Sequence, residues 1–205
     1  MSASLPIEAI RADITTAVRE PGFCVLLTAP TGSGKSTRVP LMLQAAGVAE
    51  RGTIIVVQPR RLAARLLAGY VARQYPCALG QEVGYTVRFD SRSSAATRIL
   101  YMTDGILERR LTDDPQLAGV SAVIFDEVHE RRLSGDLCLA RVLELQRSTR
   151  PDIGVFVMSA TLELDKLQGY LPQATVLRAE GRLYPVEVSY MPPSPVRDSR
   201  GYVGL

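Results

Sequence analysis

The sequence is poor in the residues that most often carry chemistry. Among 205 residues there are three cysteines and one histidine, and of 24 basic residues only Lys35 and Lys166 are lysine. Cys24, Cys77 and Cys138 are far apart and never form a CxxC pair, which argues against a disulfide framework and against a cysteine zinc site. His129 has no HExxH context, so a histidine-based zinc centre is not expected either. No apolar run approaches the roughly 18–20 residues of a membrane span, and no signal peptide opens the chain. The expectation is a soluble, cytoplasmic protein without a membrane partner. No internal repeat of fixed period is present.

What is present fits one α/β domain with a short tail. The chain is 46% hydrophobic and 22% charged, too apolar for a disordered protein. A net charge of +3 permits an anionic partner without requiring one. The basic residues are almost all arginine, which suits planar contacts with phosphate or carboxylate, although codon bias explains the excess as well.

Strand-like and helix-like segments alternate. Residues 5–19 carry Ile7, Ile10, Ile14 and Val18 at helical spacing, and Pro21-Gly22 ends that helix. Phe23–Thr28 and Thr53–Gln58 read as strands buried on both faces. Further strands are expected at Val83–Phe89, Arg98–Met102, Ala122–Phe125, Ile153–Met158 and Val186–Tyr190. Helices are expected from Lys35 to about Ala46, at Arg60–Gln74, at Asp104–Leu111 and at Leu137–Gln146. This alternation predicts a mostly parallel sheet with helices on both faces. Residues 1–190 form the domain, and the proline-rich stretch from Met191 reads as a linker over 191–205.

Two segments carry chemistry. Ala29-Pro-Thr-Gly-Ser-Gly-Lys-Ser-Thr37 lies between a buried strand and a helix, the context in which GxxxxGK[ST] marks a phosphate loop. Thr31, Gly32, Ser33 and Gly34 present main-chain N–H groups to phosphates, Lys35 reaches the β/γ-phosphates, and Ser36 and Thr37 begin the helix. Ser36 is then a candidate Mg²⁺ ligand. Alanine replaces the first glycine of the pattern, which is harmless if that position requires small size rather than positive φ. The second segment, Asp126-Glu-Val-His129, follows the strand Ala122–Phe125. At the carboxyl edge of a parallel sheet Asp126 can hold Mg²⁺, and Glu127 can orient and deprotonate an attacking water. A solvated strand end is the plain alternative for the acidic pair, as is a surface histidine for His129.

Together these segments resemble the first RecA-like domain of DEAH/DExH-box superfamily 2 helicases, and most closely the bacterial HrpB-type members. Gln58-Pro-Arg-Arg-Leu-Ala-Ala64 is similar to motif Ia, Thr103-Asp-Gly-Ile-Leu107 to motif Ib, and Ser159-Ala-Thr161 to motif III. Alanine also begins the phosphate loop in that family. Glu180–Glu187 is similar to the segment that closes the domain. The resemblance covers roughly residues 5–190 and implies a RecA-like P-loop NTPase fold that uses ATP or another NTP with Mg²⁺.

It also implies that Arg60, Arg61, Thr103, Asp104 and Gly105 hold the backbone of a single-stranded nucleic acid, RNA in preference to DNA. Alone, an Arg-Arg pair is more often a solvated helix start. Ser159, Ala160 and Thr161, with His129, would couple nucleotide state to strand grip. Where the family commonly stacks an arginine on the base, this chain carries Tyr70, and no glutamine occurs in residues 1–28 to read adenine. Weak discrimination among purine nucleotides follows. The arginine-bearing residues of a second RecA-like domain are missing, so the chain reads as the first part of a longer helicase that hydrolyses poorly by itself. The competing functions are another phosphate-loop enzyme, such as a nucleotide kinase or an ABC-type ATPase, and a non-catalytic nucleic-acid-binding module with a vestigial nucleotide site.

Overall fold

The structure is a computed structural model, and it describes residues 5–75, 77–160, 168–180 and 189. Among the described residues eight strands form one sheet: β1 (Cys24–Thr28), β2 (Thr53–Gln58), β3 (Val83–Val87), β4 (Asp90–Arg92), β5 (Ile99–Thr103), β6 (Val120–Phe125), β7 (Gly154–Ser159) and β8 (Thr175–Arg178). Their order is β4-β3-β5-β2-β6-β7-β1-β8, and every pairing is parallel except β3 with β4.

The two faces are covered by helices that include α1 (Arg11–Ala17), α2 (Lys35–Ala45), α3 (Arg61–Gln74), α4 (Asp104–Asp113) and α5 (Leu133–Arg147). Alternate strand residues divide between them, as a two-residue side-chain period requires. Leu27, Ile54, Val56, Tyr101, Ile124 and Phe156 pack with α1, α2 and α3. Ile55, Val57, Met102, Val123, Phe125 and Val157 pack with α4 and α5. The continuous apolar runs in the sequence are therefore the central strands, apolar on both sides. No helix among the described residues is long and apolar enough to cross a membrane.

Several boundaries differ from those expected. The first helix is broken into a 3₁₀ turn, Pro6–Ile10, and α1, because Ile10 leaves helical geometry at φ −107° and ψ 19°. The turn is pinned from outside, with the Ile7 N–H donating to Ser33 O at 3.2 Å. The third strand stops at Val87 and doubles back into β4 through Arg88 and Phe89, with Phe89 at φ 68°. Helix α5 begins four residues before Leu137, at Leu133, whose side chain is exposed and so packs against no core. Strand β8 was not legible because it lies at the sheet edge and is only partly buried. The strand expected at Val186–Tyr190 and the linker 191–205 lie outside the described residues, apart from residue 189.

Candidate nucleotide and nucleic-acid site

Parallel pairing brings the chemistry to one edge. Thr28 pairs with Ser159, Phe125 with Val157, Val57 with Phe125 and Gln58 with Thr103, so every loop leaving these strands emerges on the same side. The loop after β1 turns at Gly32 and Gly34, both with positive φ. Gly34 is the N-cap of α2 at φ 91°, a conformation that demands glycine, and a Cβ there would also stand 2.8 Å from Leu5 Cδ1. Positive φ among described non-glycine residues is confined to Phe89, Leu117, Glu127 and Arg131. Ala29 is not one of them, and it is fully buried, so small size is what that position requires. Thr31 and Gly32 are exposed at the loop tip, whereas Ser33 is buried.

Lys35 and the acidic segment meet directly. The Lys35 Nζ lies 3.1 Å from Glu127 Oε1, and the second oxygen of Glu127 is 3.3 Å from His129 Nε2. His129 Nδ1 accepts the Ala160 N–H at 3.3 Å. That bond assigns the histidine proton to Nε2, facing Glu127. Glu127 itself sits at φ 54° and ψ 37°, a left-handed conformation costing a non-glycine residue about 1–3 kcal/mol. Its contacts to Lys35 and His129 hold it there. Through Ala160, the end of β7 is tied to the acidic segment. Ser159 is buried beside it, and Thr161 lies outside the described residues.

Asp126 is 5% exposed, and its environment is electrostatically opposed. Burial pushes its carboxyl above the usual carboxylate range and the neighbouring Glu127 adds to that, while hydrogen bonds from Ser36 and Gln58 and the charge of Lys35 pull it down. Gln58 Nε2 donates to Oδ2 at 2.6 Å, and the Glu127 N–H donates to Oδ1 at 2.9 Å. A buried carboxylate beside a serine hydroxyl is a hard-oxygen pair. Mg²⁺ is normally bound by such a sparse set together with water and substrate phosphates. Among the described residues no group of three or more His, Cys, Asp or Glu is placed to hold a metal by itself.

The residues expected to hold a strand occupy the same edge but face different ways. Arg60, the N-cap of α3, is largely exposed, with Nη2 3.1 Å from Glu130 Oε1. Arg61 Nη2 donates to Arg88 O at 2.7 Å, tying α3 to the β3–β4 turn. Thr103 and Asp104 are buried at the start of α4. The Asp104 carboxylate accepts Ser134 Oγ at 2.6 Å and the Gly105 N–H at 2.9 Å, with Arg132 Nε 3.4 Å away. Of the three only Gly105 is exposed, with open space around it. Tyr70 is 43% exposed on α3, nine residues and roughly 13 Å of helix from Arg61.

Reading the sequence missed several residues of this edge. Gln58 stands in the motif Ia stretch, but only the β2–β6 register puts it against Asp126. Glu130 and Arg132 share one short segment with Glu127, and Arg132 also donates to Pro59 O. Arg88 and the 87% exposed Phe89, whose ring lies 4.7 Å from the Arg88 guanidinium carbon, project beside Arg61. In the sequence Phe89 stands between Arg88 and Asp90, and only the fold shows it exposed.

Comparison with known proteins agrees with this geometry. The family model described as "DEAD/DEAH box helicase" matches residues 9–169. The chain is 45% identical over 191 residues to the ATP-dependent RNA helicase HrpB of Escherichia coli, covering 93% of this chain and 23% of that protein. It is 42% identical to the human "Probable ATP-dependent RNA helicase DHX40", covering 91% of this chain and 24% of the relative. The crystal structure of Escherichia coli DEAH/RHA helicase HrpB superposes with a TM-score of 0.83 at 46% identity, over 90% of this chain and 23% of that one. The chain thus spans about a quarter of the length of these relatives. The eight-stranded, mostly parallel sheet is the RecA-like fold expected from the sequence. With the phosphate loop, the acidic segment and the Arg60–Arg61 edge all inside the matched region, the chain belongs to the DEAD/DEAH box helicase family.

Proposed function

We propose that the chain is the first motor domain of an ATP-dependent helicase that couples Mg–NTP hydrolysis to movement along single-stranded RNA in the cytoplasm. The observation that carries the reading is the continuous contact Lys35–Glu127–His129–Ala160, which joins the phosphate loop, the acidic segment and the end of β7. The main chain of Thr31–Thr37 and Lys35 bind the phosphates, with the N-terminus of α2 adding partial positive charge. Ser36 and Asp126 would hold Mg²⁺, whose role is to neutralise charge on the β- and γ-phosphates. When nucleotide draws Lys35 away, Glu127 keeps His129 and gains a free oxygen to orient water and take its proton.

The same reading assigns Arg60, Arg61 and the exposed main chain at Gly105 to strand phosphates. Such contacts give affinity and salt dependence rather than sequence choice. A following RecA-like domain would supply the arginines that face the γ-phosphate, so the domain by itself should turn over slowly. Tyr70 would give at most weak purine selection. ATP hydrolysis by the full-length protein, with and without single-stranded RNA or DNA, tests the proposal. RNA stimulation of wild type and loss of turnover in Glu127→Gln with nucleotide binding retained are expected. Unchanged turnover in Glu127→Gln, or no response to either nucleic acid, would sink it. A strong ATP preference over GTP would remove the purine statement alone.

A further inference from the structure

Helix α2 contains a proline at its sixth residue, Pro40. Proline has no N–H, so the carbonyl four residues earlier, that of Ser36, loses its helical donor. A carbonyl left without a donor costs up to about 1–3 kcal/mol when buried, and the first turn of α2 is partly buried. In this fold the donor comes from elsewhere. The Tyr101 hydroxyl, on β5, donates to Ser36 O at 3.0 Å. Tyr101 is fully buried on the face that packs against α2, and its partner in β2 is Val56.

We infer that Tyr101 is a positioning residue for the metal-facing hydroxyl: by replacing the backbone donor that Pro40 lacks, it fixes the first turn of α2 so that the Ser36 Oγ meets Asp126. The inference rests on the reading of Ser36 as a Mg²⁺ ligand. Its physical content is specific. The phenol ring could be any aromatic filling the core, whereas the hydroxyl acts on one carbonyl. Tyr101→Phe keeps the ring and removes only the donor. Pro40→Ala returns an N–H to the position from which Ser36 O is normally served.

The test is binding of a fluorescent nucleoside diphosphate by the full-length protein, titrated with Mg²⁺ and repeated in chelator, together with unfolding of the nucleotide-free protein. Tyr101→Phe is expected to raise the Mg²⁺ concentration at half effect on the order of tenfold, the usual consequence of removing a group that orients a metal ligand. Metal-free nucleotide binding should change much less, a split that general loss of stability would not produce. The double variant Tyr101→Phe/Pro40→Ala should return toward wild type. A Tyr101→Phe protein with wild-type Mg²⁺ dependence, alongside a Ser36→Ala protein whose dependence has shifted, overturns the inference. So does a Tyr101→Phe defect that Pro40→Ala leaves in place. If Ser36→Ala itself shifts nothing, the reading of Ser36 as ligand has failed, and the inference falls with it.

Discussion

Replacing Gln58 by leucine isolates one hydrogen bond at the centre of the site. Gln58 is 2% exposed, and its amide donates to a carboxylate that is itself 5% exposed. Leucine preserves most of the volume, so the main loss is a charge-assisted bond in a dry environment, worth about 1.5–3 kcal/mol. Asp126 keeps the Glu127 N–H and the Ser36 hydroxyl, which places the expected cost near ~2 kcal/mol. For a domain of this size that is a fall of about 4–8 °C in the midpoint of thermal unfolding. The assay is thermal unfolding of the nucleotide-free protein at pH 7 in two backgrounds, wild type and Asp126→Asn. In the second the acceptor is neutral, and the penalty of Gln58→Leu should shrink to ~1 kcal/mol or less. An equal loss in both backgrounds would show that Gln58 matters through packing and would refute the electrostatic argument.

Three other outcomes are expected. Burial holds the Asp126 carboxyl above its ordinary value of 3.8, so folding favours the protonated side chain; that contribution is full below pH 3.8 and is lost as pH rises through the folded-state value. Asp126→Asn should therefore gain stability over wild type from about pH 4 upward, measured by urea unfolding across pH, and a pH-independent difference would contradict this. Gly154→Ala places a Cβ 2.3, 2.4 and 2.8 Å from three ring atoms of Phe23, and should cost about 1–3 kcal/mol in urea unfolding, partly recovered by Phe23→Leu. Glu130→Gln frees Arg60 from an exposed ion pair worth at most about 1 kcal/mol, and should tighten single-stranded RNA binding about two- to fivefold by fluorescence anisotropy. Tightening that persists in an Arg60→Gln background would assign the effect to general repulsion instead.

The legible part of the fold was what local physics dictates. Strands buried on both faces must be continuously apolar, so Thr53–Gln58 was found to the residue and the other central strands to within two. Edge elements carry no such signature. Strand β8 is half exposed, and β4 is three polar residues that pair only because Phe89 accepts a positive φ. The amino-terminal helix breaks because Ile7 is fastened to the phosphate loop, a contact between residues 26 positions apart that no helical period foretells.

The site divides along the same line. A phosphate loop and its lysine are specified by contiguous residues, since the main chain of one turn does the binding, and the acidic segment is specified by its place after a buried strand. Their meeting is a property of the sheet. The order β6-β7-β1 separates motif-bearing strands by one neighbour and brings Lys35 within 3.1 Å of Glu127, though 92 positions separate them in the chain. Only that packing turns Asp104 inward onto Ser134, leaving Gly105 as the exposed residue of its trio. Only it assigns the partners of Asp126 and Ser36, because a buried polar group must take whichever donor the neighbouring strand presents. Residue types at short spacing thus determined which chemical groups are available, while long-range strand register decided which of their atoms meet.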